Sequence, residues 1–267
     1  MKELQLAEIK QIETEILKKF DAFCSENGIR YFLSNGTLLG SVKYKGFIPW
    51  DDDIDVLMPR EDYERLINSY VSEGDMKLLC REHDNNYLFP FAKLTDTTTV
   101  IKGQTALKNY ECGVHMDIFP IDGWSDDVDQ AERDADLLHK YVAQCGLSIS
   151  KFGKGRTFLR TVIKNLLILF TRIKTYRRCF EQLYKKTAES IHSQTNNCGC
   201  VVWAVYGKHE VIPSHVFSDV IHVEFEGGRF PAPVGYDLYL RSLYGDYEKD
   251  PPVEKQKTHH SFKAYKL

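Results

Sequence analysis

The stretch Pro49-Trp50-Asp51-Asp52-Asp53-Ile54-Asp55-Val56-Leu57-Met58 places four carboxylates in five positions and then becomes apolar. Its second half, residues 54–58, is apolar and β-branched enough to predict a buried strand. Side chains alternate between the two faces of a strand, so Asp53 and Asp55 are predicted to share one face. Same-face positions lie about 6.5–7 Å apart, so the two carboxylates can converge on one site.

Neighbouring carboxylates at a half-buried strand repel each other and raise each other's pKa unless a cation neutralises them. The pattern therefore predicts a divalent metal with oxygen ligands, Mg²⁺ or Mn²⁺. The alternative is a solvated acidic turn before a strand. That alternative explains Asp51 and Asp52, but it explains Asp55 poorly because apolar residues flank it.

Composition and cysteine usage indicate a globular protein with a substantial core. The 267 residues are 43% hydrophobic and 12% aromatic, with a formal net charge of −3 that points to no particular partner. Seven cysteines include one close pair, Cys198-Gly199-Cys200, and no CxxC spacing, which predicts free thiols in a reducing compartment.

The chain begins polar, without an apolar signal region, and no apolar run reaches the ~18–20 residues of a membrane span. We therefore expect a soluble cytoplasmic protein.

The pattern along the chain predicts a mixed α/β (α+β) fold. An amphipathic first helix ends at Asn27-Gly28, as a left-handed cap does. A strand at 30–33, a turn at 34–37 and a short helix at 38–42 with Thr37 near its N-cap come before the acidic strand. A helix opening at Arg60 comes after it, and further strands are predicted near 77–80, 89–94, 98–101 and 115–119, the last closed by Pro120 and Gly123. Later come strand character at 225–233 and a tyrosine-rich helix at 236–244.

Residues 126–196 read as mainly helical and differ in composition from what precedes them. The chain shows no internal repeat and no low-complexity linker. These features predict a single domain over 1–267, with 126–196 as a helical insertion.

Two further elements could complete a site around the acidic strand. Gly36 permits close backbone approach and Thr37 offers a hydroxyl at the start of a helix, where an anion such as a phosphate is favoured. An ordinary N-cap is the alternative for this pair. Asp117 lies between Met116 and Ile118 on a later predicted strand and so points to the opposite face from these two apolar side chains. The alternative for Asp117 is an acid that caps a strand end.

This order, a helix-start Gly-Thr followed by an hDhDh strand (h, hydrophobic), resembles the nucleotidyltransferase superfamily with its polymerase-β-like core. Longer motifs resemble the LicD family, which includes bacterial phosphocholine transferases and, more distantly, fukutin and fukutin-related protein. The matching segments are 31–40, 45–56, Phe91-Ala92-Lys93-Leu94, 116–122, and 239–246 with Pro251-Pro252. They run from about residue 30 to the end and leave 126–196 uncovered.

The resemblance implies roles for individual residues. Asp53, Asp55 and Asp117 would be metal ligands for two ions, with Asp117 also accepting a proton, and Asp51 would be a nearby helper. Substrate contacts would come from Gly36 and Thr37, from Lys93 beside a diphosphate, and from a histidine after the Pro-Pro stretch, His260. Gly40-Ser41 is an alternative to Gly36-Thr37, because its spacing to Asp53 is nearer the superfamily's usual gap.

The family moves a phospho-alcohol from a cytidine diphosphate (CDP) carrier to a sugar hydroxyl of a surface glycan. The resemblance thus implies a CDP-alcohol donor such as CDP-choline and a glycan acceptor in capsule, teichoic acid or lipopolysaccharide. Two alternatives stay open. One is a glycosyltransferase, since an Asp-x-Asp pair also holds a metal–diphosphate; the other is a non-catalytic partner that binds nucleotide or glycan.

Residues 151–178 form a second anomaly, because they contain nine Lys or Arg and no Asp or Glu. The apolar stretch Leu166-Leu167-Ile168-Leu169-Phe170 lies within this segment. A basic amphipathic segment can bind peripherally to an anionic membrane that carries a lipid-linked acceptor. The alternative is a buried helix with a basic outer face. No nucleic-acid-reading module is visible, so no nucleic-acid partner is predicted.

Overall fold

The computed structural model describes residues 1–72, 74–103, 105, 112–153, 158–173, 175–192, 195–256 and 262–267. The α-helices are α1 Leu6–Asn27, α2 Asn35–Tyr44, α3 Arg60–Ser69, α4 Val128–Ile149, α5 Phe158–Ile173, α6 Tyr176–Ser190 and α7 Tyr236–Tyr244. The strands are β1 Lys2–Glu3, β2 Phe32–Leu33, β3 Asp55–Pro59, β4 Met76–Leu79, β5 Ala92–Asp96, β6 Thr99–Lys102, β7 His115–Gly123, β8 Asn197–Gly199, β9 Ile212–Pro213, β10 Val220–Phe225, β11 Gly228–Pro233 and β12 Lys263–Lys266. This is a mixed α+β architecture, as the sequence predicts.

The first helix follows its sequence pattern closely. Gln5 and Glu8 form a capping box at its start, and Gly28 ends it in the left-handed region at φ 58°. Its apolar stripe, with Ile16 and Phe20 among its buried members, packs on the central sheet. One acid, Glu13, is buried on the same side of the helix.

The second helix starts earlier than the sequence predicts. It begins at Asn35 with Ser34 in the N-cap position, so Thr37 is the third helical residue and the predicted turn at 34–37 is wrong. The Leu38 amide donates to the Ser34 carbonyl and closes the first turn. Asn35 takes a positive φ of 46°, a conformation that asparagine tolerates better than most residues.

The central sheet has the order β2-β3-β7-β5-β4. Strand β8 pairs with the last two residues of β7, and β9 pairs with β8. Strands β3 and β7 are parallel neighbours, whereas β2–β3, β5–β7 and β4–β5 are antiparallel. Strand β7 passes through Pro120, which the sequence analysis placed at its end. Pro120 is tolerated because β5 pairs with β7 only as far as Ile118, so the missing N–H removes no bond to β5.

Helices α4, α5 and α6 lie within 126–196 and form a layer beside the sheet. Their second core contains Trp124 together with small and aliphatic side chains of α4 and α6. On the other flank, hairpin β10–β11 packs on α2 and β2, and α7 packs on α2. The boundaries of the proposed insertion stay a prediction.

All seven cysteines are free and buried. Their lack of pairing agrees with the thiol state that the sequence predicts. Among the described residues, no helix has the length and apolar character needed to cross a bilayer.

Candidate active site

Three residues singled out in the sequence stand side by side across three adjacent strands. Asp55 on β3 is the register partner of Asp117 on β7, and Asp117 is the register partner of Lys93 on β5. Residues directly opposite each other in neighbouring strands have Cβ atoms about 4.5–5.5 Å apart and lie on the same face of the sheet. Sheet pairing therefore brings Asp55, Asp117 and Lys93 into one row.

Lys93 is the buried cation of this row. Its side chain is only 4% exposed, and Nζ lies 2.5 Å from Oδ1 of Asp117 in an ion pair. The ring of His115 contacts the same ammonium, with Nε2 2.9 Å from Nζ. The rings of Phe89 and Phe91 both lie 5.2 Å from Nζ, within cation–π range. Lys93 is thus a built-in charge at the site and not an ordinary exposed strand lysine.

Asp55 is fixed by contacts from the start of α2. The Asn35 side-chain amide donates to Oδ2 of Asp55 at 3.1 Å, and the Asp55 backbone N–H donates to Oγ1 of Thr37 at 2.9 Å. Asn35 is held in turn, because the Tyr239 hydroxyl donates to its side-chain oxygen at 2.9 Å. The protein atoms around the Asp55 carboxyl shield it from water, and this desolvation raises its pKa well above the usual range. The nearby charges of Asp53 and Asp117 raise the pKa further, whereas the hydrogen bond from Asn35 lowers it.

Strand β3 begins at Asp55 and not at the predicted residue 54, so Asp53 lies in the loop before the strand. It nevertheless lines a cleft of about 40 Å³ together with Asp52, Lys93 and Asp117. This volume holds a few water-sized groups. Asp51 lies on the other side of the loop beside Gly36, where a Cβ added to that glycine would stand 2.6 Å from the Asp51 Oδ2 atom. The acidic loop therefore faces both the strand site and the start of α2.

Helix α1 adds two ionisable groups, Glu13 and Lys10, that were not predicted from the sequence. Glu13 is 3% exposed, lines the same cleft, and its Oε2 has no hydrogen-bond partner among the described residues. Burial raises the pKa of Glu13 well above its usual range, and Asp53 and Asp52 add to the effect. Lys10 donates to the backbone carbonyls of Ile48 and Pro49 at 3.2 and 3.3 Å. The available signal was an acid within the apolar stripe of the first helix.

The donor chemistry of this cleft fits a hard divalent cation. Four acidic side chains, Glu13, Asp52, Asp53 and Asp117, line it, and Glu13 presents a buried oxygen that has no hydrogen-bond partner among the described residues. Oxygen donors of this kind are what magnesium and manganese take. Within the described ranges, no three His, Cys, Asp or Glu side chains already form a closed metal cluster. Since unneutralised carboxylates repel one another, a cation would have to draw them together.

The two candidates for the phosphate-binding pair have different surroundings. Gly36 and Thr37 lie at the first turn of α2, beside Asp51 and Asp55. Gly40 packs against the backbone of the loop at 46–48, and the Ser41 hydroxyl donates to the Glu224 carbonyl at 2.7 Å. Of the two pairs, the first is the one whose contacts include the site residues Asp51 and Asp55. The roles of both pairs stay predictions.

The predicted substrate contact His260 lies outside the described residues. His115 lies beside Lys93, with its Nε2 atom 2.9 Å from Nζ, and its Nδ1–H donates to the Gly113 carbonyl at 2.9 Å. Its ring therefore lies next to the row and helps to hold the Lys93 ammonium in place.

Comparison with known proteins shows which class this chain belongs to. A family model described as LicD/FKTN/FKRP, nucleotidyltransferase domain, matches residues 28–142. A relative of full length is also found, and the chain therefore belongs to the LicD family. That relative is the lipopolysaccharide cholinephosphotransferase LicD of Haemophilus influenzae, 34% identical over 283 aligned residues that cover 100% of both chains. An uncharacterised protein of Rickettsia typhi is 35% identical over 78 residues, 28% of this chain and 25% of its own. The family assignment made from the motifs is thus confirmed.

Proposed function

We propose that this protein transfers a phosphocholine-like phospho-alcohol group from a CDP-linked donor to a sugar hydroxyl of a cell-surface glycan. The observation that carries the proposal is the row of Asp55, Asp117 and Lys93 across β3, β7 and β5. It supplies acidic oxygens and a cation in one place, in a chain similar over its full length to a lipopolysaccharide cholinephosphotransferase. We further propose that the core is of the nucleotidyltransferase type, which the mixed sheet and the helix start beside its acidic strand support.

The donor would bind with its diphosphate between the start of α2 and Lys93. Amides at a helix start favour anions, and the buried Lys93 ammonium adds a positive charge on the opposite side. Two divalent cations, magnesium or manganese, would be held by Asp53, Asp55 and Asp117 and would neutralise the diphosphate and activate the acceptor oxygen. Asn35 and Thr37 would keep Asp55 in its orientation for this task.

The reaction is a displacement at the distal phosphorus of the donor. The acceptor oxygen forms a bond to phosphorus while the bond from phosphorus to the bridging oxygen breaks, and cytidine monophosphate leaves with that electron pair. Asp117 is the proposed acceptor of the hydroxyl proton, since its side chain is 21% exposed and borders the cleft. Lys93, bonded to the same carboxylate, would hold it in position.

The test is to incubate the purified protein with CDP-choline, CDP-glycerol and CDP-ribitol in turn, with magnesium and an acceptor glycan. We expect one donor to release cytidine monophosphate in step with a mass increase of the glycan by the matching phospho-alcohol. A parallel panel of nucleoside diphosphate sugars covers the glycosyltransferase alternative, whose product is a nucleoside diphosphate. Absence of product from both panels, with normal metal and nucleotide binding, would favour a non-catalytic binding partner.

Alanine substitutions at Gly36 and at Gly40 distinguish the two candidates for the phosphate-binding turn. The Cβ of Gly36→Ala meets the movable carboxylate of Asp51, so we expect near-normal stability and turnover reduced by about tenfold or more. The Cβ of Gly40→Ala meets backbone, the Gly46 carbonyl oxygen at 2.4 Å and the Ile48 nitrogen at 2.9 Å. That overpacking should lower the free energy of unfolding by roughly 1–3 kcal/mol. Donor KM, kcat and urea unfolding of both variants measure this, and full activity of Gly36→Ala would remove Gly36 from the donor site.

The acceptor is proposed to be lipid-linked and to be reached at the cytoplasmic face of a membrane. The support for this part is the acid-free basic segment at 151–178.

A further inference from the structure

The α5 helix turns its apolar side away from the protein. Large apolar side chains on it are 37–72% exposed: Val162, Ile163, Leu166, Leu167, Leu169 and Phe170. Of the α5 side chains that the structure describes, Thr161, Asn165 and Thr171 are half-buried on the side that faces the protein, around the fully buried Ile168. A surface helix of a water-soluble domain shows the opposite arrangement, with its apolar stripe toward the core. We name the six exposed side chains the α5 face.

The charges around the α5 face indicate what kind of partner binds it. Residues 151–178 carry nine basic side chains and no acidic one, and Lys151 and Lys164 are exposed in the structure. A second copy of the chain seated on this face would oppose two such segments of the same sign. An anionic bilayer supplies both the apolar interior and the negative surface that the segment lacks.

The dimensions of α5 fit a helix that lies in the plane of the membrane. Its 16 residues measure about 24 Å at 1.5 Å per residue, less than the ~30 Å hydrocarbon core. The exposed apolar side chains that the structure describes on α5 lie on one side, as in helices that bury that side in the headgroup and acyl boundary. From these observations we propose that α5 docks the protein on an anionic lipid bilayer, with the α5 face inserted among the acyl chains.

The helix layer connects this surface to the candidate active site. α5 contacts α4 and α6, and the Phe180 ring of α6 lies 5.8 Å from Phe89. Phe89 in turn packs against the Lys93 ammonium. If the proposed function holds, docking through α5 would bring the row of Asp55, Asp117 and Lys93 to an acceptor anchored in the same bilayer.

Vesicle cosedimentation of the full chain tests the docking without any nucleotide. We expect binding to vesicles with about 30% phosphatidylglycerol to be at least about tenfold tighter than to pure phosphatidylcholine, and to weaken between 0.1 and 0.5 M salt. The double variant Leu166→Glu/Phe170→Glu should weaken binding by about tenfold or more at both salt concentrations, because it removes the inserted part. Lys151→Gln/Lys164→Gln should weaken mainly the salt-sensitive part.

The matched control is Leu238→Glu/Val253→Glu, which adds the same two charges at positions 44% and 77% exposed outside the helix layer. We expect this variant to bind vesicles like the wild type. As an independent readout, Phe170→Trp should shift its fluorescence to the blue on anionic vesicles and be quenched by brominated acyl chains.

Equal, negligible binding to both vesicle types would overturn the proposal, as would unchanged binding of Leu166→Glu/Phe170→Glu. Sedimentation velocity without lipid should show a monomer; a dimer dissolved by that double variant would assign the α5 face to a second copy instead. An assay with a water-soluble acceptor separates failure of membrane docking from failure of the transfer reaction. Release of cytidine monophosphate from the donor in that assay tests the transfer without a membrane.

Discussion

Asp55→Ala should abolish turnover, lowering kcat by at least about a thousandfold, or roughly 4 kcal/mol of barrier. Asp55 is central to the site, since it is the register partner of Asp117 and is oriented by Asn35. We expect Asp53→Ala to lower kcat to a similar extent. Rates of donor cleavage at saturating magnesium measure the effect, with Asp129→Ala, an exposed acid on α4, as the control.

The same substitution should leave the metal-free fold intact or make it more stable. The pKa of Asp55 is raised in the folded protein, so its contribution to stability is present below the unfolded pKa and is lost as pH rises. Above the unfolded pKa the Asp55 side chain therefore makes an unfavourable contribution to the metal-free fold, and alanine removes that contribution. Thermal unfolding with and without magnesium measures this. A variant that keeps more than about a tenth of the wild-type rate would contradict the assignment of Asp55 as a metal ligand.

Asp117→Asn should slow the reaction by at least about 100-fold, the lower end of what a positioned base contributes. It should also lower stability, because the buried Lys93 ammonium loses its charged partner. Removing one partner of a buried pair costs about 3–5 kcal/mol, and we expect the lower part of that range because asparagine keeps a side-chain oxygen.

A double variant separates the two effects of Asp117. Lys93→Met/Asp117→Asn removes both charges, so the free energy of unfolding should recover while the rate stays low. Urea unfolding and single-turnover rates of the two single variants and the double variant provide the measurement. An unaltered rate in Asp117→Asn, with normal dependence on metal, would leave Asp117 a structural role only.

Elements with a strong local pattern could be predicted from the sequence. Helices α1, α3 and α7 follow from apolar periodicity and caps, and Gly28 ends α1 in the predicted left-handed conformation. Asp55 and Asp117 were recognisable because each is an acid inside an apolar strand. The family was recognisable because its motifs are long and occur in a fixed order, and the full-length relative confirms it.

How these residues meet depends on packing between segments that are far apart in the chain. Lys93 pairs with Asp117 only because β5 and β7 align in one register, and such pairing depends on contacts between segments distant in sequence. Glu13 looks like a misplaced acid in an apolar stripe until α1 packs over the cleft. The outward direction of the α5 face was equally invisible, because periodicity reveals that a helix has an apolar side but not which way packing turns that side.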